Sequence, residues 1–147
     1  MHAIQTGELE LASFSQSSDP SNIVRAAWPV YRDTGAAGTA VVYFELDPGM
    51  DLPSHTDSAE EVLVVLEGEV EATVGGESGR LSAGGIAVVP AMVPHGARNI
   101  GGGIARVAGV FPSNTIVAVF DDEFEGIGTR VVGTPPPAEQ AQPAAAG

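Results

Sequence analysis

The chain has 147 residues, with six basic against 19 acidic, a formal net charge of −13, and no cysteine. That length is room for one domain. The charge opposes phosphate backbones and anionic membrane surfaces, so no nucleic-acid or membrane partner is expected. The missing cysteine removes disulfides, thiolate metal sites, thiol nucleophiles and iron–sulfur clusters. All six basic residues are arginines (Arg25, Arg32, Arg80, Arg98, Arg106 and Arg130), so lysine chemistry is absent and any metal site must use His, Asp and Glu.

Residues 1–22 are polar and serine-rich and read as a flexible N-terminal arm. They lack the charged start and apolar run of a secretory signal, and nowhere does an apolar stretch reach the ~18 residues of a membrane helix. A soluble, cytoplasmic protein is therefore expected. Residues 23–132 read as one β-domain. Residues 39–46 alternate and stop at Pro48-Gly49, and residues 62–66 form a continuous apolar run, as in a strand buried on both faces. Residues 69–74 alternate and stop at Gly75-Gly76, a hairpin signal. Gly84-Gly85 opens an apolar run at 86–90, Gly101-Gly102-Gly103 separates runs at 95–100 and 104–111, and residues 115–120 form a last β-branched run. No window keeps a helical period beyond two turns, so the class is all-β, a sandwich or a closed barrel. Residues 133–147 are rich in proline and alanine and read as a disordered tail.

Chemistry concentrates in residues 48–68. His55 and Asp57 are two apart on an extended segment and leave the same face, while a strand begun at Glu61 sends Glu61, Leu63 and Val65 to one side. The other internal histidine, His95, opens a later strand. If the sheet closes, His55, Asp57, Glu61 and His95 can converge inside it, and two imidazoles with carboxylates suit Fe(II), Mn(II), Ni(II) or Zn(II). The plainer alternative is surface charge in a chain with 19 acidic residues.

Residues 49–68 resemble the first motif of the cupin superfamily: a glycine (Gly49), five residues, His55-x-Asp57, three residues, Glu61, six residues, Gly68. Residues 84–99 resemble the second: Gly84, five residues, Pro90, then His95 and, after three more, Asn99. The family usually has a second histidine where Asp57 stands, and a glycine where Met92 stands. The resemblance implies a small jelly-roll-like barrel (a double-stranded β-helix), a homodimer, and one divalent metal held by His55, Asp57, Glu61 and His95, with Fe(II) the first choice. It implies an enzyme that oxidises, in dioxygenase fashion, or isomerises a small organic substrate at that metal. A non-catalytic small-molecule-binding cupin is the alternative.

A further resemblance, His55-x-Asp57…His95…Arg106, is to 2-oxoglutarate-dependent oxygenases, in which the arginine grips the cosubstrate. A three-residue loop at Gly101-Gly102-Gly103 would instead set His95 opposite Gly109 and turn Arg106 away. Side-chain parity places Met50, Leu63, Met92 and Val107 around a substrate pocket, with Arg106 as a further candidate.

Overall fold

The computed structural model describes residues 1–134 and contains two antiparallel sheets facing each other. In chain order the strands are β1 (Ala12–Gln16), β2 (Asp19–Val30), β3 (Ala40–Leu46), β4 (Asp51–Asp57), β5 (Glu61–Glu67), β6 (Glu69–Val74), β7 (Glu77–Ser82), β8 (Ile86–Val89), β9 (His95–Asn99), β10 (Ala105–Phe111), β11 (Val117–Phe120) and β12 (Val131–Gly133). One sheet runs β1-β2-β3-β10-β5-β8 and the other β12-β11-β4-β9-β6-β7. This is the jelly-roll-like barrel expected from the sequence. Among the described residues no helix is long and apolar enough to cross a membrane.

Alternation builds the interior. Along β10, Ala105, Val107, Gly109 and Phe111 are buried while Arg106, Ala108 and Val110 are only half-buried on the other face. Leu63, Val65, Val70, Phe44, Leu46 and Val107 join in one core cluster. The Gly75-Gly76 hairpin forms as expected, with Val74 opposite Glu77.

Two expectations about local pairing are corrected. Residues 95–111 do not form a hairpin: β9 pairs with β4 and β6, whereas β10 pairs with β3 and β5 in the opposite sheet. The glycine triplet is a crossing between sheets, and Asn99 braces it by donating from Nδ2 to the carbonyls of Leu46 and Gly103, both at 2.8 Å. Within residues 1–22, read as an arm, residues 12–16 form β1 and Asp19 opens β2. Phe14 packs edge-on against Phe124 at 5.9 Å, a partner more than a hundred residues away that no local pattern reveals. The tail from residue 135 lies outside the described residues; Gly133 ends β12 and Thr134 N–H donates to the Ile116 carbonyl.

Met92 is the one non-glycine residue with positive φ, at 64°, among the described residues. Its N–H donates to the Asp57 carbonyl at 2.9 Å, so this turn ties the end of β4, while its side chain is exposed. Met92→Gly should relieve left-handed strain and raise stability by about 0.5–1 kcal/mol in urea unfolding, net of the entropy that glycine adds to the unfolded chain. A loss of stability would mean that the exposed side chain is held by contacts.

Candidate metal centre

A bulge aligns the two histidines. Between the pairs Leu52–Ala97 and His55–His95, β4 spends two residues, Pro53 and Ser54, against one on β9, Gly96. Pro53 has no N–H to lose from the ladder, and Gly96 permits the close approach, since a Cβ there would lie 2.7 Å from the Leu52 carbonyl oxygen. His55 and His95 thus become direct cross-strand partners with ring centroids 4.1 Å apart. On its other side His55 lies against Phe120, its partner on β11, stacked at 4.4 Å and 15°.

Each imidazole is oriented by its own backbone. His55 Nδ1 donates to the Pro53 carbonyl and His95 Nδ1 to the Val93 carbonyl, both at 2.9 Å, because a carbonyl can only accept. Both Nε2 atoms therefore face the interior. Asp57 shares the His55 face of β4, opposite the small Ala118, and Glu61 reaches across from β5 in the other sheet. His55, Asp57, Glu61 and His95 are 7, 3, 3 and 2% exposed. His95 Nε2 lies 2.9 Å from Asp57 Oδ2 and 3.2 Å from Glu61 Oε1, and His55 Nε2 lies 3.6 Å from Asp57 Oδ2. Donor atoms of His55, Asp57 and His95 all fall within 4.8 Å of one another. The four side chains singled out in the sequence thus meet in the interior, three of them, His55, Asp57 and His95, in a group that could hold a metal ion.

One buried oxygen of the cluster is left without a hydrogen-bond partner. Asp57 Oδ2 is the one buried side-chain oxygen among the described residues that has no hydrogen bond. Burial lowers the His55 pKa, which keeps that ring neutral, and burial raises that of Glu61. For His95, burial acts downward, but the Asp57 and Glu61 carboxylates and the Val93 carbonyl outweigh it and push the pKa up to about 10. A proton on His95 is thus the cation nearest both carboxylates. Two inward Nε2 atoms, an orphaned carboxylate oxygen and a second carboxylate fit a divalent transition metal.

The residues expected to line a pocket lie elsewhere. Leu63 and Val107 are buried in the core cluster, Met50 packs against it, and Met92 is exposed on its turn. Parity chose the correct face for Leu63 and Val107 but not the depth, because the barrel is filled at their level. Arg106 is on the outer face, bonded to Glu45, Glu67 and the Tyr43 hydroxyl, which removes it from any cosubstrate role at the centre. The cavity that meets His55, Asp57 and Glu61 has a volume of about 90 Å³ and is walled instead by residues such as Trp28, Val42, Phe44, Phe111 and Phe120.

Gly109 went unrecognised as part of the site's construction. A Cβ there would sit 2.0 Å from Glu61 Oε2 and 3.0 Å from Val42 Cγ1. Only a glycine on β10 leaves room for the Glu61 carboxylate, and the signal was its place in an otherwise β-rich run, where a lone glycine marks a close approach.

Residues 42–111 match the family model of the Cupin domain. Among solved structures, an oxalate oxidase in complex with the substrate analogue glycolate is 22% identical with a TM-score of 0.63, over 73% of this chain and 59% of that one. The Schizosaccharomyces pombe Cnp3 cupin domain is 18% identical with a TM-score of 0.60, over 76% and 73% of the two chains. An oxalate decarboxylase from Bacillus subtilis with Mn(II) centres is 19% identical with a TM-score of 0.59, over 67% and 28%. The chain thus spans 59% and 28% of the two oxalate enzymes, less than two thirds of either, and at these identities the likeness is one of fold. No curated protein matches the sequence significantly.

Two outcomes are expected. Gly109→Ala should displace Glu61 and weaken divalent-metal affinity at least about tenfold while the far-ultraviolet spectrum stays unchanged, since the clash is with one carboxylate rather than with backbone. Unaltered affinity would take Glu61 out of the centre. Mn(II) affinity should rise about tenfold per pH unit between pH 6.5 and 8.5. In that window His95, with its pKa near 10, must shed a proton to ligate, whereas His55 is already neutral. A flat titration would show that His95 does not ligate.

Proposed function

From the cupin domain that residues 42–111 form, we propose a metal-dependent enzyme in which one divalent transition metal is held by His55, Asp57, Glu61 and His95. Its reaction is the oxidation or isomerisation of a small organic substrate bound in the adjoining cavity. The observation that carries this reading is Asp57 Oδ2, buried and without a hydrogen bond between two imidazole nitrogens, beside a cavity. A bound Fe(II), the metal we favour, or Mn(II) would supply Lewis acidity or a site for dioxygen. The protein's own part is threefold. The carbonyls of Pro53 and Val93 fix the imidazoles, the apolar walls exclude water, and Glu61, reaching across from the other sheet, adds the second carboxylate.

The homodimer expected from the sequence belongs to the same reading. Edge strand β8 pairs on one side only, with β5, and exposes Ile86 and Val88. An antiparallel meeting of two β8 strands across a two-fold axis would pair the free backbone edge and set Ile86 and Val88 beside their copies.

The test is elemental analysis of untagged protein purified without chelator and after anaerobic reconstitution with Fe(II) or Mn(II). Near one metal per chain is expected, falling to near zero in folded His95→Ala. Loss in Asp57→Asn but not in Glu61→Gln would reduce the centre to two histidines and one carboxylate. Absence of metal under every condition would overturn the enzyme reading in favour of a metal-free binding barrel.

A further inference from the structure

The cavity beside the centre draws on a particular part of the composition. The chain has five phenylalanines and one tryptophan, and all of them, Phe14, Phe44, Phe111, Phe120, Phe124 and Trp28, line it. They come from both sheets and from chain segments more than a hundred residues apart. Apart from the indole N–H of Trp28, the polar side chains among its lining residues are His55, Asp57 and Glu61, which belong to the centre itself.

The cations are equally consistent in being elsewhere. Arg25 is bonded to Asp47 and lies 3.6 Å from Glu45, and Arg106 is bonded to Glu45 and Glu67. Arg32 pairs with its neighbour Asp33, while Arg80, Arg98 and Arg130 are exposed. None of the six lines the cavity. The acidic run Asp121-Asp122-Glu123 leads directly into Phe124 at the wall, and the whole chain carries a formal charge of −13.

We infer that the site selects an uncharged, largely apolar small molecule with one donor atom for the centre, and rejects carboxylates. The anchoring atom rests on the metal reading above; the selection by the walls does not. A divalent ion held by Asp57 and Glu61 is already balanced, so a bound carboxylate would add a buried negative charge with no counter-ion. An acidic surface field opposes its entry as well. An uncharged molecule meets neither penalty and gains contact with aromatic walls. The cavity volume of about 90 Å³ is well below the ~150 Å³ that accommodates benzene. By that scale the enclosed part of the ligand has about four non-hydrogen atoms.

The test compares two probes of one shape, butanone and propanoate, which differ in a methyl group against an oxygen anion. Mn(II)-loaded protein is titrated with each, and binding is read from paramagnetic relaxation of the probe protons. Butanone should bind at least about tenfold more tightly, and a smaller preference, or preference for propanoate, overturns the inference. If the protein takes up no Mn(II), the metal reading fails separately. The same pair is then compared on the metal-free protein by saturation-transfer NMR, with the same tenfold margin deciding.

Discussion

Two carboxylates face one imidazole nitrogen inside this barrel, and much of the site's construction serves to keep them there. Ionised groups removed from water cost several kcal/mol each even after relaxation, and such a cost is tolerated only where opposite charge is close. His95 Nε2, at 2.9 Å from Asp57 and 3.2 Å from Glu61, supplies that charge when protonated, which is why its pKa stands so far above that of an ordinary histidine. The proton serves imperfectly, because it leaves Asp57 Oδ2 without a hydrogen bond. An ion of higher charge that accepts several donors at once answers the same demand more completely.

Around this charge the backbone is arranged with little freedom. The Pro53-Ser54 bulge opposite Gly96 turns β4 by one residue and brings His55 level with His95; without it the alternation of β4 would place the two on mismatched rows. Gly109 opens the opposite wall for Glu61. The carbonyls of Pro53 and Val93, two residues before each histidine, hold Nδ1–H, so that both Nε2 atoms point inward. The stack of Phe120 on His55 removes the remaining ring freedom. These devices sit on strands of both sheets, which gives the centre the rigidity of the barrel.

The sequence carried the site more legibly than the surroundings of the site. His55, Asp57, Glu61 and His95 could be read because a period of two and the glycine spacings report which residues share a face. Depth along the barrel axis leaves no such mark: Leu63 shares a face with Glu61, yet one is core and the other lines the cavity. Sheet membership is equally silent, and a run of glycines between two strands is compatible with a hairpin or with the crossing found between β9 and β10. The aromatic walls escaped for a related reason. Phe14 and Phe124 meet only after the chain has closed, and neither lies in an alternating run that would mark it as part of a wall.

Asp57 connects the centre to its walls. Where the resemblance would place a third histidine, three neutral imidazoles and one glutamate would leave a divalent ion with a net positive charge, able to hold an anionic substrate without further help. A carboxylate at that position, 2.9 Å from His95 Nε2 and 3.6 Å from His55 Nε2, cancels the surplus. With a divalent ion on these two carboxylates the centre would be neutral and would need no cationic partner in its cavity, and the lining, aromatic and without arginine, supplies none. One substitution in the motif and the wall composition, drawn from strands far apart in sequence, therefore answer the same electrostatic condition.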